Sequence, residues 1–204
     1  MSKVIFDISM SLDGFITGAN RTPAEPLGEE GEHLHDWAFN SKDEYNRDLI
    51  SQSVRTTGAV ICGRRTYDDS LPFWGADGPT GAARLPVFVV THHVHKESPE
   101  GGVYTFVTDG IESTLQKAKK AAGDKHVSVM GGADIGQQYI KTGLVDEVSI
   151  HLVPVLFGSG TPMFANLGET HIQLEPGQVT ETPEAIHLRL RIIRQAKELS
   201  DESA

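Results

Sequence analysis

The sequence predicts an α/β fold in which a central, mostly parallel sheet is flanked by helices and ends in antiparallel strands. Short β-branched segments alternate with helical ones along the chain, and the apolar residues of 185–193 alternate with polar ones. No internal repeat or long linker divides the 204 residues. Because this length suits one large domain, we predict a single domain over 1–194 and a disordered polar tail over 195–204.

The first half of the chain opens with a predicted central strand, Val4 to Met10. A polar stretch rich in Gly and Pro, Gly18 to Gly31, forms either a loop over the mouth of a site or a disordered surface segment. Ser41 with Glu44 predicts a capping box that opens a helix reaching Val54. The remaining predicted elements of this half are a strand at 59–62, a short helix after residue 63 and a strand at 86–91.

The second half repeats the alternation. Asp109 with Glu112 opens one predicted helix, and Gly143 lies where a helix-ending glycine is expected for another. Val145 to Leu156 is long and β-branched, so we expect a strand that crosses the whole sheet; antiparallel strands are predicted from His171 onward. The other predicted elements are strands at 104–107, 126–130 and 185–193 and helices at 109–122 and 134–141.

Composition and charge narrow the function classes. The formal net charge is −10, which argues against a protein that binds nucleic-acid backbones. The one cysteine, Cys62, excludes an internal disulfide framework and a multi-cysteine zinc site, and its apolar neighbours predict a buried thiol. No segment has the length of a membrane span, and no signal stretch opens the chain. We therefore expect a cytoplasmic protein whose partners are small molecules, not nucleic acids or membranes.

Gly131 and Gly132 predict an anion-binding turn. A β-branched strand ending at Met130 runs into these paired glycines and then into a helix that begins at Asp134. The glycines let a phosphate approach the backbone, while the free N–H groups and the dipole of the helix N-terminus supply positive potential. The alternative is a tight turn between strand and helix that binds nothing.

A second junction of strand and helix carries Gly63, Arg64, Arg65 and Thr66. Arginine side chains and a threonine hydroxyl are phosphate donors, and cations at a helix start oppose the helix dipole unless an anion binds there. The alternative is a solvated turn. Together, the two junctions match the two halves of a dinucleotide pyrophosphate.

Several motifs stand in the order found in the dihydrofolate reductase superfamily, which the chain resembles. They are Ser11–Ile16, Gly63–Tyr67, Val89–Thr91, Gly131–Ala133 and Leu144–Glu147. The segment His151–Phe164 is similar to the signature of the branch that contains the reductase domain of bacterial riboflavin biosynthesis. The resemblance runs from Val4 to Ile193. It implies a dihydrofolate reductase-like three-layer fold and NADPH-dependent hydride transfer to a small heterocycle such as a pterin or pyrimidine.

The resemblance also implies positions for the cofactor across the carboxyl ends of the strands. Arg64, Arg65 and Thr66 hold one side of the pyrophosphate, and Gly131 to Ile135 hold the other side. Ser9 and Ile16 line the nicotinamide pocket. Thr91 and His92 follow the strand that meets the adenosine 2′-phosphate, but the arginine that often grips this phosphate is missing, so preference for NADPH over NADH stays open. The implied cofactor-binding residues are Ser9, Ile16, Gly63, Arg64, Arg65, Thr66, Thr91, His92, Gly131, Gly132, Ala133, Asp134 and Ile135.

For catalysis, the resemblance points to a carboxylate early in the first long helix, which Asp36 matches, and to Asp13 in a mobile loop beside the nicotinamide. Hydride transfer needs a proton source as well as placement of donor and acceptor. We therefore expect Asp36 or Asp13 to supply the acid and Trp37 to stack on a flat heterocycle. The structural alternatives are a helix cap for Asp36, a turn residue for Asp13 and simple packing for Trp37.

Other expectations concern metals, partners and a second function class. Nine histidines include the cluster His92, His93 and His95, but no His-Glu spacing supports a catalytic zinc site, so we expect no metal. The zinc ligands of the deaminase that often accompanies the riboflavin reductase domain are missing. The branch commonly forms dimers, so we expect a homodimer. The alternative to an enzyme is a non-catalytic NADP(H)-binding sensor or interaction module.

Overall fold

The computed structural model describes residues 2–94, 98–169 and 171–193. Its strands are β1 Val4–Ser11, β2 Thr57–Gly63, β3 Val87–Val90, β4 Tyr104–Val107, β5 His126–Met130, β6 Glu147–Val153, β7 Gln173–Glu181 and β8 Ile186–Ile193. They form one 8-stranded sheet in the order β4-β3-β2-β5-β1-β6-β8-β7. The pairs from β4 to β6 are parallel, whereas β8 pairs antiparallel with β6 and β7. This confirms the predicted fold class.

Helices cover both faces of the sheet. They are α1 Asp36–Phe39, α2 Glu44–Thr56, α3 Arg64–Trp74, α4 Ile111–Ala122 and α5 Ala133–Lys141, with short 3-10 helices at Gly31–His35 and Gly81–Ala83. Because side chains alternate along β2, Ala59 and Ile61 pack in the cluster that contains α4 and α5, whereas Val60 and Cys62 pack with Tyr67 of α3. The sheet is therefore the middle of three layers.

The predicted capping box at the start of α2 is wrong. The residue that caps the helix is Asp43, whose carboxylate accepts from the backbone N–H groups of Tyr45 and Asn46 at 2.9 and 3.3 Å. Ser41 instead accepts from the backbone N–H of Asp43 at 3.0 Å and so supports the cap from outside the helix. Asp43 takes the position because it directly precedes the first helical residue, with an extended backbone.

Other element boundaries also differ from the predictions. β6 ends at Val153, not at Leu156, because Pro154 has no N–H with which to continue the ladder. The residue at the N-cap of α4 is Gly110, with φ 95°, and not the predicted Asp109. Asp109 lies one residue before the cap and accepts from Ser113 Oγ at 2.6 Å. α3 is longer than the short helix expected, at 11 residues.

The Cys62 thiol lies in the core, and burial raises its pKa to about 12, which confirms a structural cysteine. No helix in the described part of the chain is long and apolar enough to cross a membrane. His95 and the predicted tail 195–204 lie outside the described residues. The single domain over 1–194 stays a prediction.

Candidate functional site

A cavity of about 1710 Å³ opens at the carboxyl ends of β1, β2, β3 and β5. This edge of a parallel sheet is where α/β folds bind ligands. The lining includes both candidate substrate residues, Asp36 and Trp37, but not Asp13. It also includes every residue expected to bind the cofactor, namely Ser9, Ile16, Gly63, Arg64, Arg65, Thr66, Thr91, His92, Gly131, Gly132, Ala133, Asp134 and Ile135.

The two glycine-bearing junctions lie side by side at this edge. β2 and β5 are hydrogen-bonded neighbours, so the N-termini of α3 and α5 emerge next to each other. The backbone N–H of Gly132 donates to the Thr66 hydroxyl at 3.0 Å and joins them. Neither Gly63 nor Gly132, the residues that precede these helices, provides a side-chain cap. Since no side chain among the described residues caps either helix, the first-turn N–H groups can meet a ligand at the cavity wall.

Gly131 is required by the local geometry. Its φ of +96° lies in the region that favours glycine, and a Cβ there would lie 2.3 Å from Thr66 Oγ1. A Cβ on Gly132 would meet the same oxygen at 3.7 Å, an ordinary contact. Gly131 therefore permits the close approach of the two junctions, whereas Gly132 leaves backbone open toward the cavity.

Arg64 and Arg65 differ in how far their positive charge is available to a ligand at this cavity wall. Arg64 pairs with Asp68 at 2.7 Å, so its guanidinium is partly neutralised. Arg65 is exposed and forms no ion pair within the described residues. At the end of β3, the Thr91 hydroxyl donates to the backbone oxygen of His93 at 2.9 Å, and His92 is exposed beside it. Arg65 is the better placed of the two arginines to meet an anion.

The floor of the cavity is formed by β1 and α1. Trp37 Nε1 donates to Ser9 Oγ at 2.9 Å, and both side chains are buried. Ile16 is buried too, and its N–H donates to the backbone oxygen of Thr161 at 2.9 Å. The centroid of the Trp37 ring lies 4.0 Å from that of His151. A heterocycle could therefore stack only on the Trp37 face that His151 does not cover, and this role stays a prediction.

Asp36 is held as an anion at the cavity edge. Its carboxylate accepts from Asn40 Nδ2 at 2.6 Å and lies 2.9 Å from His33 Nδ1. The hydrogen bond from His33, followed by that from Asn40, lowers the pKa of Asp36. An ionised carboxylate accepts hydrogen bonds and holds no proton to donate. The geometry favours Asp36 as an acceptor for a substrate N–H group.

Asp13 anchors two loops outside the cavity lining. Its carboxylate accepts from the backbone N–H groups of Gly158 and Phe157 at 2.7 and 3.2 Å and from Ser11 Oγ at 2.6 Å. The Ser11 hydrogen bond is the largest of the contacts that lower the pKa of Asp13. Asp13 thus ties the turn after β1 to the segment after β6, which matches the turn-residue alternative.

The segment after β6 packs closely on the chain after β1. Phe15 and Pro162 form an antiparallel bridge, and a Cβ on Gly160 would lie 2.0 Å from the backbone oxygen of Thr17. The segment after β6 therefore fits closely against the turn that begins the cavity wall.

The loop 18–31 lines the cavity, in agreement with the first of its two predicted alternatives. Backbone hydrogen bonds close it on itself, such as the one from Gly18 N–H to the oxygen of Leu27 at 2.8 Å. Arg21 Nη2 lies 2.6 Å from Asp69 Oδ2 of α3 and fastens the loop across the cleft. Sequence reasoning missed this pair, since nothing local connects residues so far apart.

A buried polar network was also missed. His151 Nδ1 lies 2.7 Å from His187 Nδ1 and His151 Nε2 lies 3.4 Å from Asp7 Oδ2; His187 Nε2 is 2.8 Å from Asn46 Oδ1. Polar residues within apolar strands were the available signal.

No group of three or more His, Cys, Asp or Glu side chains suited to a metal ion occurs in 2–94, 98–169 and 171–193.

Sequence and structure comparisons identify relatives. The RibD C-terminal domain family matches residues 2–188. The chain belongs to this family. The uncharacterised protein YyaP of Bacillus subtilis (strain 168) is 27% identical over 174 residues, which cover 81% of each chain. A Shewanella sp. PV-4 protein assigned to riboflavin biosynthesis superposes with a TM-score of 0.71 at 23% identity, over 94% of this chain and 99% of that one.

The fold extends to dihydrofolate reductase. The enzyme of Enterococcus faecalis, solved with NADP(H), superposes with a TM-score of 0.56 at 15% identity and covers 93% of this chain and 96% of that one. Together with the RibD family match, this confirms the predicted resemblance and the dihydrofolate reductase-like fold of a reductase-type family.

Proposed function

We propose that this protein is an NADPH-dependent reductase that transfers a hydride to a small heterocyclic substrate. The observation that carries the proposal is the pair of joined, uncapped helix N-termini at Thr66 and Gly132, set in a cavity large enough for a dinucleotide and a substrate. Membership of the RibD C-terminal domain family and a fold shared with an NADP(H)-bound reductase support it.

The cavity residues fit a nicotinamide dinucleotide. The Gly131 and Gly132 backbone, the first-turn N–H groups of α3 and α5 and the exposed Arg65 side chain offer hydrogen bonds to two phosphates from adjacent sides. Ser9 and Ile16 would hold the nicotinamide over β1, and Thr91 and His92 would meet the adenosine end. When bound, the cofactor would supply the hydride, and the chain fixes its orientation.

The charge of the cavity narrows the proposed substrate. The loop 18–31 and the 3-10 helix Gly31–His35 bring the carboxylates of Glu25, Glu29, Glu30 and Glu32 to the lining, near Asp36. Carboxylates repel a phosphorylated ligand and favour neutral or cationic ones. We therefore favour an unphosphorylated pterin or pyrimidine over a phosphoribosylated one, with Asp36 accepting from its ring N–H and Trp37 packing on its face.

A titration of the purified protein with NADPH and, separately, NADH, followed by nicotinamide fluorescence, tests the cofactor. Tight binding of NADPH supports the proposal and leads to a screen of dihydrofolate and of pyrimidines with and without a phosphoribosyl group, followed by loss of nicotinamide absorbance. Binding of neither nucleotide would mean that the two junctions hold another anion or none. Equal binding of both nucleotides would refute only the selectivity for NADPH at Thr91 and His92.

A non-catalytic NADP(H)-binding module is the second candidate. It is favoured by one observation: Asp36 and Asp13, the two acids expected from the sequence, both have lowered pKa values and so hold no proton near neutral pH. NADPH binding without hydride transfer to any pterin, pyrimidine or flavin would select this candidate. Turnover of any of these would eliminate it.

We also propose that the protein forms a homodimer. Leu12 is 59% exposed and Leu156 69% exposed, on segments joined by a hydrogen bond from Leu12 N–H to the Val155 oxygen. Adjacent exposed leucines favour an interaction surface. Sedimentation at micromolar concentration checks this: a dimer is expected for the wild type and a shift to monomer for Leu156→Glu, and a monomeric wild type would refute it.

A further inference from the structure

The floor of the cavity rests on the polar network of Asp7, His151, His187 and Asn46. His151 of β6 and His187 of β8 are partners in the antiparallel ladder, with their Nδ1 atoms 2.7 Å apart. Of the two imidazoles, His151 contacts Asp7 on β1 and His187 contacts Asn46 on α2. The network runs from a buried amide to a carboxylate that lines the cavity.

The orientation of Asn46 fixes where the protons lie. Its Nδ2 is 3.0 Å from the Glu184 carboxylate, which only accepts, so the amide oxygen must face His187. His187 therefore donates from Nε2. Burial, assisted by the charge of His151, lowers the pKa of His187 to about 4, so its Nδ1 is unprotonated at neutral pH and accepts.

His151 must consequently donate from Nδ1, which leaves its Nε2 facing the Asp7 carboxylate at 3.4 Å. The Trp37 ring lies beside the imidazole at a centroid distance of 4.0 Å. Burial opposes ionisation of Asp7, but the charge and hydrogen bond of His151, with help from Ser149 and Arg189, lower the pKa of Asp7. Asp7 and His151 are thus the two partners of one hydrogen bond.

Asp7 is the member of the pair that reaches the cavity. Its side chain is 39% exposed, against 4% for His151, and it lines the cavity beside Ser9 and Trp37. Trp37 covers His151, so a proton leaves the imidazole toward the cavity by way of the Asp7 carboxyl. No such path leads from Asp13, which lies outside the described lining.

We propose that Asp7 and His151 are the proton source of the reductase reaction, with His187 and Asn46 as positioning residues; this rests on the proposed function. As a substrate carbon accepts the hydride, the N–H bond at His151 Nε2 breaks, the proton passes through the Asp7 carboxyl, and an N–H bond forms on the neighbouring substrate nitrogen. The substrate is reduced by two electrons, which a bound nicotinamide would supply. His151 is left neutral and regains its proton from water in the open cavity.

The charge environment of the pair sets the direction of its pH dependence. Arg189 of β8 acts on Asp7, and burial, followed by the charge of His151, lowers the pKa of His35 of the 3-10 helix. Asp43 acts on His187 from the start of α2. Because the proton must be present for transfer, turnover is expected to fall as pH rises.

Imidazole ¹⁵N NMR on the full chain without cofactor tests which nitrogens of His151 and His187 carry protons, independently of activity. His187 is expected to keep its proton on Nε2 from about pH 5 to 9, while His151 keeps its proton on Nδ1. In Asp7→Asn the carboxylate that faces His151 Nε2 is gone, so the ¹⁵N chemical shift of that nitrogen is expected to move. The matched control Glu112→Gln removes another carboxylate of the cavity lining and should leave this chemical shift unchanged.

Turnover supplies the second readout. Asp7→Asn is expected to lower kcat about 100-fold and to flatten its pH profile, with the Kd for NADPH changed less than about twofold. A proton on His187 Nδ1 in the wild type, or an unchanged chemical shift of His151 Nε2 in Asp7→Asn, would overturn the proposed hydrogen-bond arrangement. Normal NADPH binding with full turnover in Asp7→Asn would overturn the catalytic role alone. Absence of NADPH binding by the wild type would instead overturn the proposed function, while the NMR result would stand by itself.

Discussion

The backbone N–H of Gly132 donates a 3.0 Å hydrogen bond to the Thr66 hydroxyl and joins the N-termini of α5 and α3. The residues are distant in sequence, but each follows a strand, and the strands β5 and β2 are neighbours in the sheet. Parallel pairing brings both helix N-termini to one edge. Two local anion-binding motifs thereby become one wall of the cavity.

Gly131→Ala is expected to destabilise the free protein. The native φ of +96° is strained for alanine, and the new Cβ would lie 2.3 Å from Thr66 Oγ1. We expect a loss of about 1–3 kcal/mol in the free energy of unfolding, measured by denaturant titration, together with weaker NADPH binding.

Gly132→Ala is the matched control for the same wall. Its φ is −64° and its new Cβ would lie 3.7 Å from Thr66 Oγ1, so the free energy of unfolding should change by less than about 1 kcal/mol. The added methyl group is nevertheless expected to weaken NADPH binding, because it lies where a phosphate would approach the backbone. Equal destabilisation by both alanines would contradict the geometry, and unchanged binding in both would contradict the phosphate site.

Arg65→Gln is expected to weaken NADPH binding about tenfold or more without a change in the melting temperature. Arg65 forms no ion pair within the described residues, so its charge is available for a ligand phosphate, and a charged hydrogen bond contributes about 1.5–3 kcal/mol. Fluorescence titration at two salt concentrations measures this, and the salt dependence should be smaller in the variant. Arg84→Gln is the control, because Arg84 pairs with Asp77 away from the cavity; an equal loss of affinity in both variants would contradict a local phosphate contact.

The elements that the sequence predicts well are those whose signals are local. The strands Tyr104–Val107 and His126–Met130 have the predicted bounds because apolar β-branched residues run up to clear turn or helix signals. The strand β6 was predicted too long because apolar character continues past Pro154, whereas the hydrogen-bonded ladder does not. Local hydropathy does not record where a backbone donor is lost.

The same distinction applies to the site. Residues of the two junctions were predictable because each junction is a short contiguous motif, and the structure places both in one cavity. The network of Asp7, His151 and His187 depends on the register of β1, β6 and β8, which pairs Ser9 with His151 and His151 with His187. No spacing along the chain encodes that register.

Asp36→Asn is expected to lower turnover about tenfold to 100-fold and to leave the Kd for NADPH nearly unchanged. Hydrogen bonds from His33 and Asn40 keep the Asp36 carboxylate ionised, and we expect it to accept from the substrate. The variant replaces one acceptor oxygen with a donor of similar size. Steady-state kinetics measures the effect, with Glu112→Gln as a control on another carboxylate of the lining; intact turnover in Asp36→Asn would refute the role of Asp36.

Asp13→Asn is expected to lower the melting temperature at pH 7 and to leave NADPH binding unchanged. The pKa of Asp13 is held below its ordinary value of 3.8, first by the Ser11 hydrogen bond and then by the N–H groups of Gly158 and Phe157. A folded-state pKa below the unfolded one contributes stability above the unfolded value, which is lost as pH falls through the folded one. The difference in melting temperature between wild type and variant should therefore shrink below about pH 4.

Thermal unfolding at pH 7 and at pH 3 tests the role of Asp13, with Asp124→Asn as the control. Asp124 is exposed and accepts no hydrogen bond within the described residues, so its substitution should change the melting temperature little at either pH. A loss of stability in Asp13→Asn that is equal at both pH values would show that the carboxylate charge does not anchor the turn. Weakened NADPH binding in this variant would instead place Asp13 in the binding site. We expect no effect on binding because Asp13 lies outside the cavity lining.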